Sequence, residues 1–514
     1  MLVLLLAGCA ATGPSLPAKD LEPAPQCTAP TVLGNLAARS LDAAPEANGI
    51  LLLDTGREAL RARVALVEAA ECSIDAQYYI WNSDTTGRYL AVRLLAAADR
   101  GVRVRLLLDD INVGDRDAVL AALASHPNVE LQIYNPFAER SGLQKAFGFL
   151  AEFERLNRRM HVKSFTVDGA VTILGGRNVG DEYFDSAEGM NHRDRDVLAV
   201  GAVVPQTAAM FQLFWDWPLA RPIEELAGGT ELPDTGALIA TAAEQVSVLE
   251  RIHGPLPREA DAALRELTGA IRSMVHAQAR LIHDPPPDPG ALGDTDVPQP
   301  GSVALREVAR DVQGDLLVES AYLVLDDTTL ANVVQLRARG VRVRALTNSL
   351  ASNDVTMNHA AYARRRRAML ASGIELRELR PDAESCPGLI RNEAACGPEH
   401  VFSLHAKTFV LDRRTVYVGS LNMNLRSRFL NAESGLVIDS PALAERIAGD
   451  IELNMTDANS WRPILDGRGR VRWPEVEAEG RSESASRWTH EPRVGFWRRV
   501  RSGFIALFPL EKYL

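Results

Sequence analysis

His161-Val162-Lys163-Ser164-Phe165-Thr166-Val167-Asp168 is written a second time in this chain, with changes, as His405-Ala406-Lys407-Thr408-Phe409-Val410-Leu411-Asp412. Both copies read H-x-K-x-x-x-x-D. Each is followed, after six residues, by Gly-x-x-Asn: Gly175 with Asn178, and Gly419 with Asn422. Every matched pair lies 244 positions apart. The chain holds five lysines against 51 arginines, so H-x-K is expected by accident only about 0.1 times. A chain that writes arginine almost everywhere else writes lysine at these two places, where a compact ammonium serves differently from a planar guanidinium.

A second phrase repeats around the first. RGVRVR occurs at 100–105 and again at 339–344, an offset of 239, and a helical stretch precedes it each time. Before the first copy the pattern predicts a helix over 55–70, capped by Thr55 with Glu58 three residues on, and a strand over 72–81. A helix over 86–101, a strand over 102–108, a helix over 116–125 and a strand over 129–134 follow. Alternation at this spacing reads as α/β layers. The repeat is far longer than the roughly 20–50 residues of a solenoid unit. It therefore predicts two tandem α/β domains, over 46–225 and 301–514, related by a pseudo-twofold axis. Residues 226–300 read as a connector, helical over 257–282 and then broken by the proline-rich run from His283.

At 514 residues, with 46% apolar and 24% charged content, the chain has the composition of an ordinary globular protein of more than one domain. A net charge of −11 argues against a surface that collects nucleic acid, and no nucleic-acid partner is expected. No internal apolar run reaches 18 residues, so no spanning helix is expected beyond the N-terminus. The run from Met1 to Ala7 leads into Gly8-Cys9 and resembles the lipobox of bacterial lipoproteins. That resemblance implies a signal over 1–8, a lipidated Cys9 and a flexible tether over 9–45. It places the protein in the bacterial cell envelope, anchored by lipid and facing the periplasm, where its other four cysteines are free to pair. Cys386 and Cys396 are the candidate bridge, with two free buried thiols as the alternative. The run Arg364 to Arg367 reads as a solvated helix face, with contact to anionic headgroups as the alternative. The basic, aromatic tail over 491–514 reads either as an amphipathic segment on an anionic membrane or as a helix packed on the second domain.

On a strand, residues two apart share a face, so His161 points with Lys163 and His405 with Lys407. If the halves meet about a twofold axis, two imidazoles, two ammoniums and the amides of Asn178 and Asn422 converge on one pocket. Such a pocket suits a phosphodiester. One imidazole attacks phosphorus, the other protonates the leaving alcohol, and the cations and amides hold the nonbridging oxygens. Each histidine then needs an acid on its other nitrogen, and Asp194 and Glu433, at matching places before apolar strands, are the candidates. Asp168 and Asp412 complete the motif as candidate catalytic residues. Their turn positions favour a bracing role. No histidine, cysteine and carboxylate cluster has metal spacing, and no cofactor is expected.

The doubled motif is the signature of the phospholipase D superfamily, and the chain is similar to it over roughly 46–460. The segment at 75–81, the segment at 175–184 and the lipobox-like start resemble the bacterial cardiolipin synthase C branch. That resemblance implies phosphatidyl transfer through a phosphohistidine, with phosphatidylglycerol and a second phospholipid such as phosphatidylethanolamine as substrates at a membrane surface. Gly176 departs from the pattern that Ser420 follows, so the halves are expected to differ chemically: a backbone donor at 176, a hydroxyl at 420. His161 is assigned as nucleophile and His405 as acid and base. A hydrolytic phospholipase D, a nuclease of the same superfamily and a non-catalytic lipid-binding lipoprotein are the competing readings.

Overall fold

The structure, a computed structural model, describes residues 27–508 and 511–513, apart from 28, 43, 115, 141–147, 149–150, 294–295, 398 and 475–487. Cys9, the signal-like residues and the tether up to residue 26 lie outside the described residues.

The first half contributes β1 (Asn48–Leu53), β2 (Ser73–Tyr78), β3 (Arg103–Asp109), β4 (Val129–Tyr134), β5 (Ser164–Val167), β6 (Val171–Gly175), β7 (Met190–Arg193), β8 (Asp196–Val200) and β9 (Ala220–Pro222). The second contributes β10 (Val275–His283), β11 (Asp315–Ser320), β12 (Arg342–Asn348), β13 (Glu375–Leu379), β14 (Val401–Leu404), β15 (Lys407–Leu411), β16 (Thr415–Gly419), β17 (Ser434–Asp439) and β18 (Ser460–Trp461). All of these except β7 and β14 form a single 16-stranded sheet with β1 and β10 side by side at its middle. Outward from that seam the order is β8-β6-β5-β2-β3-β4-β9 on one side and β17-β16-β15-β11-β12-β13-β18 on the other. The strands match position for position. β2-β3-β4 and β11-β12-β13 are the parallel stretches in both halves.

Local chemistry supports this order. β6 and β8 are buried along their whole length, as strands covered on both faces must be. Thr55 Oγ1 accepts from Glu58 N at 3.2 Å and Glu58 Oε2 accepts from Thr55 N at 3.0 Å, closing a capping box on helix Gly56–Ala69. Asp84 and Asp326 cap the equivalent helices Thr85–Asp99 and Asp327–Ala338. Each half has an apolar core on one face of its sheet. A third core runs through both, joining Ile50, Leu52, Leu174 and Val197 to Leu317, Val410, Val416 and Leu436. The halves thus share buried apolar area instead of meeting at a polar seam.

Four expectations are corrected here. The helix expected over 257–282 ends at Arg272, and 275–283 is instead β10, which pairs with β1 and β17. Val275, Ala277, Ala279 and Leu281 alternate with polar residues, a period of two that belongs to a strand. The stretch assigned to the tether contains helix Val32–Ser40, whose Leu33 is fully buried, and Cys27 just before it is bridged to Cys72. The arginine run is not a solvated face throughout. Arg366 is buried and ion-paired with Glu378 at 2.8 Å and Glu491 at 2.7 Å, because residues past 488 return to cover that helix. Gly176 offers no spare backbone donor, since its N–H is given to the Arg195 carbonyl. Cys386 and Cys396 form a disulfide. Among the described residues no helix is long and apolar enough to cross a membrane.

Removing Arg366 takes the guanidinium from the buried Glu378 and the partly buried Glu491. Arg366→Met is expected to cost about 3 kcal/mol or more in a denaturant titration, whereas Arg364→Met, at a half-exposed pair with Glu511, is expected to cost less than about 1 kcal/mol.

Candidate active site

His161 and Lys163 stand on the extended lead-in to β5, and His405 on that to β15, whose first residue is Lys407. Val162 and Ala406 between them are buried in the shared core, which sends the histidine and lysine to the opposite face. The lead-ins are joined crosswise to the other half. His161 N donates to the Ala432 carbonyl at 2.9 Å, and His405 N donates to the Arg193 carbonyl at 2.8 Å. β14, which runs into His405, pairs in parallel with β7, which runs into Asp194. Met160 makes the equivalent parallel bridge to Ala432.

That crossing puts an acid behind each imidazole, and always the acid of the other half. His161 Nδ1 shares a 2.7 Å hydrogen bond with Glu433 Oε2, and His405 Nδ1 shares one of 2.5 Å with Asp194 Oδ2. All four groups are buried. Lys163 Nζ donates to the His161 carbonyl at 2.6 Å, and Lys407 Nζ donates to the His405 carbonyl. The charge of Lys407 acts on His161, Lys163 and Glu433, so the two motifs share one electrostatic environment.

The environment is not symmetric. Burial, then the charges of Lys163 and Lys407, hold His161 well below the usual imidazole range. Burial and Lys407 push His405 down to about 3 against the pull of Asp194. Burial raises Glu433 to about 7 in spite of Lys163 and of hydrogen bonds from Ser420 and Ser427. Burial also works against ionising Asp194, but His405, Lys407 and Arg177 outweigh it and hold that carboxyl below its ordinary range. Lys407 is lowered to about 8 by burial, and Lys163 is lowered well below its ordinary value for the same reason. His405 therefore has a firmly ionised carboxylate behind it, and His161 has one that is near its midpoint at neutral pH.

The halves differ sterically at position 176 as well. A Cβ on Gly176 would stand 2.3 Å from Asp194 Oδ1, so no side chain fits beside that acid. In the other half Ser420 Oγ donates to Glu433 Oε2 at 2.5 Å and accepts from Ser434 N at 2.9 Å. Ser420, expected to meet phosphate, is committed to orienting Glu433. Asn178 and Asn422 are buried at twin positions, and the Oδ1 of each lacks a partner among the described residues. Such an orphaned amide, repeated in both halves, has hydrogen-bonding capacity left for a ligand.

Asp168 and Asp412 are not brought to the histidines. Each sits in a left-handed turn at the far end of its strand, with φ of 53° and 50°. Asp168 Oδ1 and Oδ2 take the N–H groups of Glu71, Cys72 and Ser73, and Asp412 takes those of Gln313, Gly314 and Asp315. These three-point braces fix the starts of β2 and β11. They correct the assignment of the two aspartates to the catalytic set.

Several pocket residues are missed by the sequence reading. The Tyr79 ring meets His161 edge-on at 4.9 Å, and Lys163 Nζ lies 5.1 Å from its centre. Tyr183 and His192 flank His405 at 5.1 and 5.3 Å. Arg195 Nη1 ties Glu319 Oε2 at 2.9 Å to Thr408 Oγ1 at 3.0 Å across the halves. Tyr79 and Tyr183 lie in the segments 75–81 and 175–184 that carry the family resemblance, but nothing in those segments singles them out as site residues. His192 carries no signal, because no period or repeat marks it. Among the described residues no three His, Cys, Asp or Glu side chains stand together as a cation site would need.

Comparison with known proteins agrees with this construction. The family model described as "Cardiolipin synthase, PLD-like domain" matches residues 64–215 and 311–453, one match in each half. Cardiolipin synthase C of Escherichia coli (strain K12) is 37% identical over 480 residues, which cover 90% of this chain and 95% of that protein. An uncharacterized protein of Helicobacter pylori (strain J99) is 30% identical over 447 residues, covering 87% of this chain and 86% of its own length. The crystal structure of phosphatidylserine synthase from Haemophilus influenzae Rd KW20 superposes with a TM-score of 0.52 at 14% identity, over 82% of this chain and 90% of that one, a likeness of fold. With two copies of the motif, each joined crosswise to the other half, and these matches along nearly its whole length, the chain belongs to the cardiolipin synthase family of phospholipase D-like proteins.

Proposed function

We propose that the protein is a phosphatidyltransferase that cleaves and re-forms phospholipid phosphodiesters through a phosphohistidine, making cardiolipin from phosphatidylglycerol and a second phospholipid, phosphatidylethanolamine among the candidates. The observation that carries this reading is the crossed pair of buried, acid-backed imidazoles, each with its lysine, and the reach of the Lys407 charge to His161 in the other half.

With Nδ1 of both rings engaged by carboxylates, Nε2 is the nitrogen left for chemistry. His161, held neutral by burial and two ammoniums, attacks phosphorus through Nε2. The P–O bond to the departing headgroup alcohol breaks, and its oxygen takes the proton from His405 Nε2. The phosphodiester anion raises both imidazoles as it enters. His405, backed by the ionised Asp194, is the ring that then carries the proton. Lys163 and Lys407, with the amides of Asn178 and Asn422, hold the nonbridging oxygens as charge builds on them. In the second half-reaction His405 removes the proton from the acceptor hydroxyl. That oxygen forms the new P–O bond, and the N–P bond to His161 breaks. Asp194 and Glu433 orient the rings, and Ser420 orients Glu433.

Two disulfides support an oxidising compartment, and pairing Cys27 with Cys72 and Cys386 with Cys396 leaves Cys9 for the lipid. The protein is then tethered to the cell envelope and faces the periplasm. Labelled palmitate should enter the wild-type chain in cells and not the Cys9→Ala variant; equal labelling removes the anchor from this reading.

Purified protein given phosphatidylglycerol, with and without phosphatidylethanolamine, should form cardiolipin. Phosphatidic acid alone would make it a hydrolase, and no product would favour the binding reading. His405→Ala should lower turnover by about 10²–10⁴-fold, the usual contribution of a positioned general acid. His161→Ala should do so as well and abolish any acid-labile phosphoprotein trapped on quenching.

The acid limb of the kcat/KM profile reports protonation of the nucleophile. Burial and two cations depress His161, so the limb should lie below pH 6.5 in the wild type. Lys163→Met removes one of those cations, raises the imidazole and should move the limb to higher pH, on top of a lower rate. A limb that stays in place would unseat His161 as the titrating group.

A further inference from the structure

The C-terminal helix Phe496–Ile505 has two unlike faces. The inner one is engaged: Ser502 is buried, Arg498 Nη2 donates to the Asn353 carbonyl at 2.6 Å, and the helix lies against helix Thr356–Ala371. The outer one is apolar and open. Trp497 is 78% exposed and Leu507 is 73% exposed, and Phe496, Val500, Phe504 and Phe508 stand exposed beside them. Every exposed Phe and Trp among the described residues lies in this stretch. Singly exposed apolar residues need no explanation, but six within 13 positions do.

The charge pattern identifies what would cover it. In a chain of net charge −11, residues 492–508 hold four arginines and no acid; Arg498 is turned inward and Arg493 is paired with Asp382, which leaves Arg499 and the exposed Arg501 beside the apolar stripe. An aromatic stripe flanked by arginine fits an anionic phospholipid surface, where the rings enter the headgroup boundary and the guanidinium groups meet phosphate. The segment is also tied to the pocket at both ends. Asn353, which holds Arg498, is followed by Asp354, which accepts from Tyr322 Oη at 2.9 Å and whose charge acts on Lys407 and His192. Beyond the helix, the Tyr513 carbonyl accepts from Arg426 Nη1 at 2.9 Å, and the charge of Arg426 acts on His161.

We propose that the apolar face of helix Phe496–Ile505 is a bilayer-docking surface that seats the protein on anionic phospholipid with its pocket next to the headgroups, independently of any N-terminal lipid. The role next to the pocket rests on the phosphatidyltransferase reading; the docking itself does not. The other arrangement, described as a packed tail, accounts for the inner face alone.

The test uses the full chain carrying Cys9→Ala, so that no acyl chain contributes, and flotation with vesicles of phosphatidylglycerol and phosphatidylethanolamine or of phosphatidylcholine. The parent should float with the anionic vesicles and weakly with the neutral ones. Adding Trp497→Glu, Val500→Glu and Phe504→Glu should weaken flotation by about tenfold or more, since three side chains lose a favourable transfer. Turnover of monomeric short-chain phosphatidylglycerol should stay within about twofold of the parent, while turnover of vesicle substrate falls with binding. A milder pair, Trp497→Ala with Phe504→Ala, should show the same split. Unchanged flotation overturns the proposal. So does equal loss on monomeric and vesicle substrates, or a parent dimer that the glutamates dissociate while flotation persists, which would mark the face as a contact between copies. If the parent floats and the glutamate variant does not, yet neither makes cardiolipin, docking stands and the reaction reading falls.

Discussion

Each motif imidazole in this protein is oriented by a carboxylate from the other half of the chain, and the architecture follows from that crossing. A histidine whose acid came from its own domain would let the domains titrate and fold separately. Here His161 is incomplete without Glu433 and His405 without Asp194. The backbone enforces the exchange, because the N–H of each histidine is bonded to the carbonyl just before the acid that takes its ring. Sliding one half against the other by a residue would break both pairs together.

Such an arrangement costs stability. Four ionisable groups and two ammoniums are withdrawn from water, at an effective penalty of several kcal/mol per ion before pairing. The surrounding structure offsets this with buried area common to both halves and with a seam of paired main chain between β1 and β10. Buried ion pairs at the same boundary, where Arg193 and Arg195 meet Glu319, keep that carboxylate of the second half close to the link between β7 and β8 that carries Asp194. Burial depresses both ammoniums, and under the proposed reaction an entering phosphodiester anion would stabilise them.

The halves also differ sterically around their two acids. Asp194 is one methylene shorter than Glu433, and its carboxylate lies where a side chain at 176 would have to stand. Glycine there and serine at 420 are therefore matched to their acids. Burial raises Glu433 while the charges around Asp194 hold that acid low, and the proposed division of labour between the two imidazoles rests on this difference.

Two features were legible in the amino-acid order alone: the doubled motif with its fixed offset, and the alternating layers of two like halves. Both rest on short-range periodicity and on repetition, which need no knowledge of where distant segments meet. Thr55 with Glu58 and the strands flanking the two RGVRVR phrases were readable for the same reason. The partnership of each acid with the opposite histidine, the strand made by 275–283, the bracing role of Asp168 and Asp412 and the burial of Arg366 were decided by tertiary structure. In each case the deciding contact joins residues that local pattern cannot associate: 272 positions separate His161 from Glu433, and 125 separate Arg366 from Glu491. Sequence specified which groups were present and how far apart they were written. Only the closing of the sheet about its central seam determined which of them touch, because a hydrogen bond depends on distance in space and not on distance along the chain.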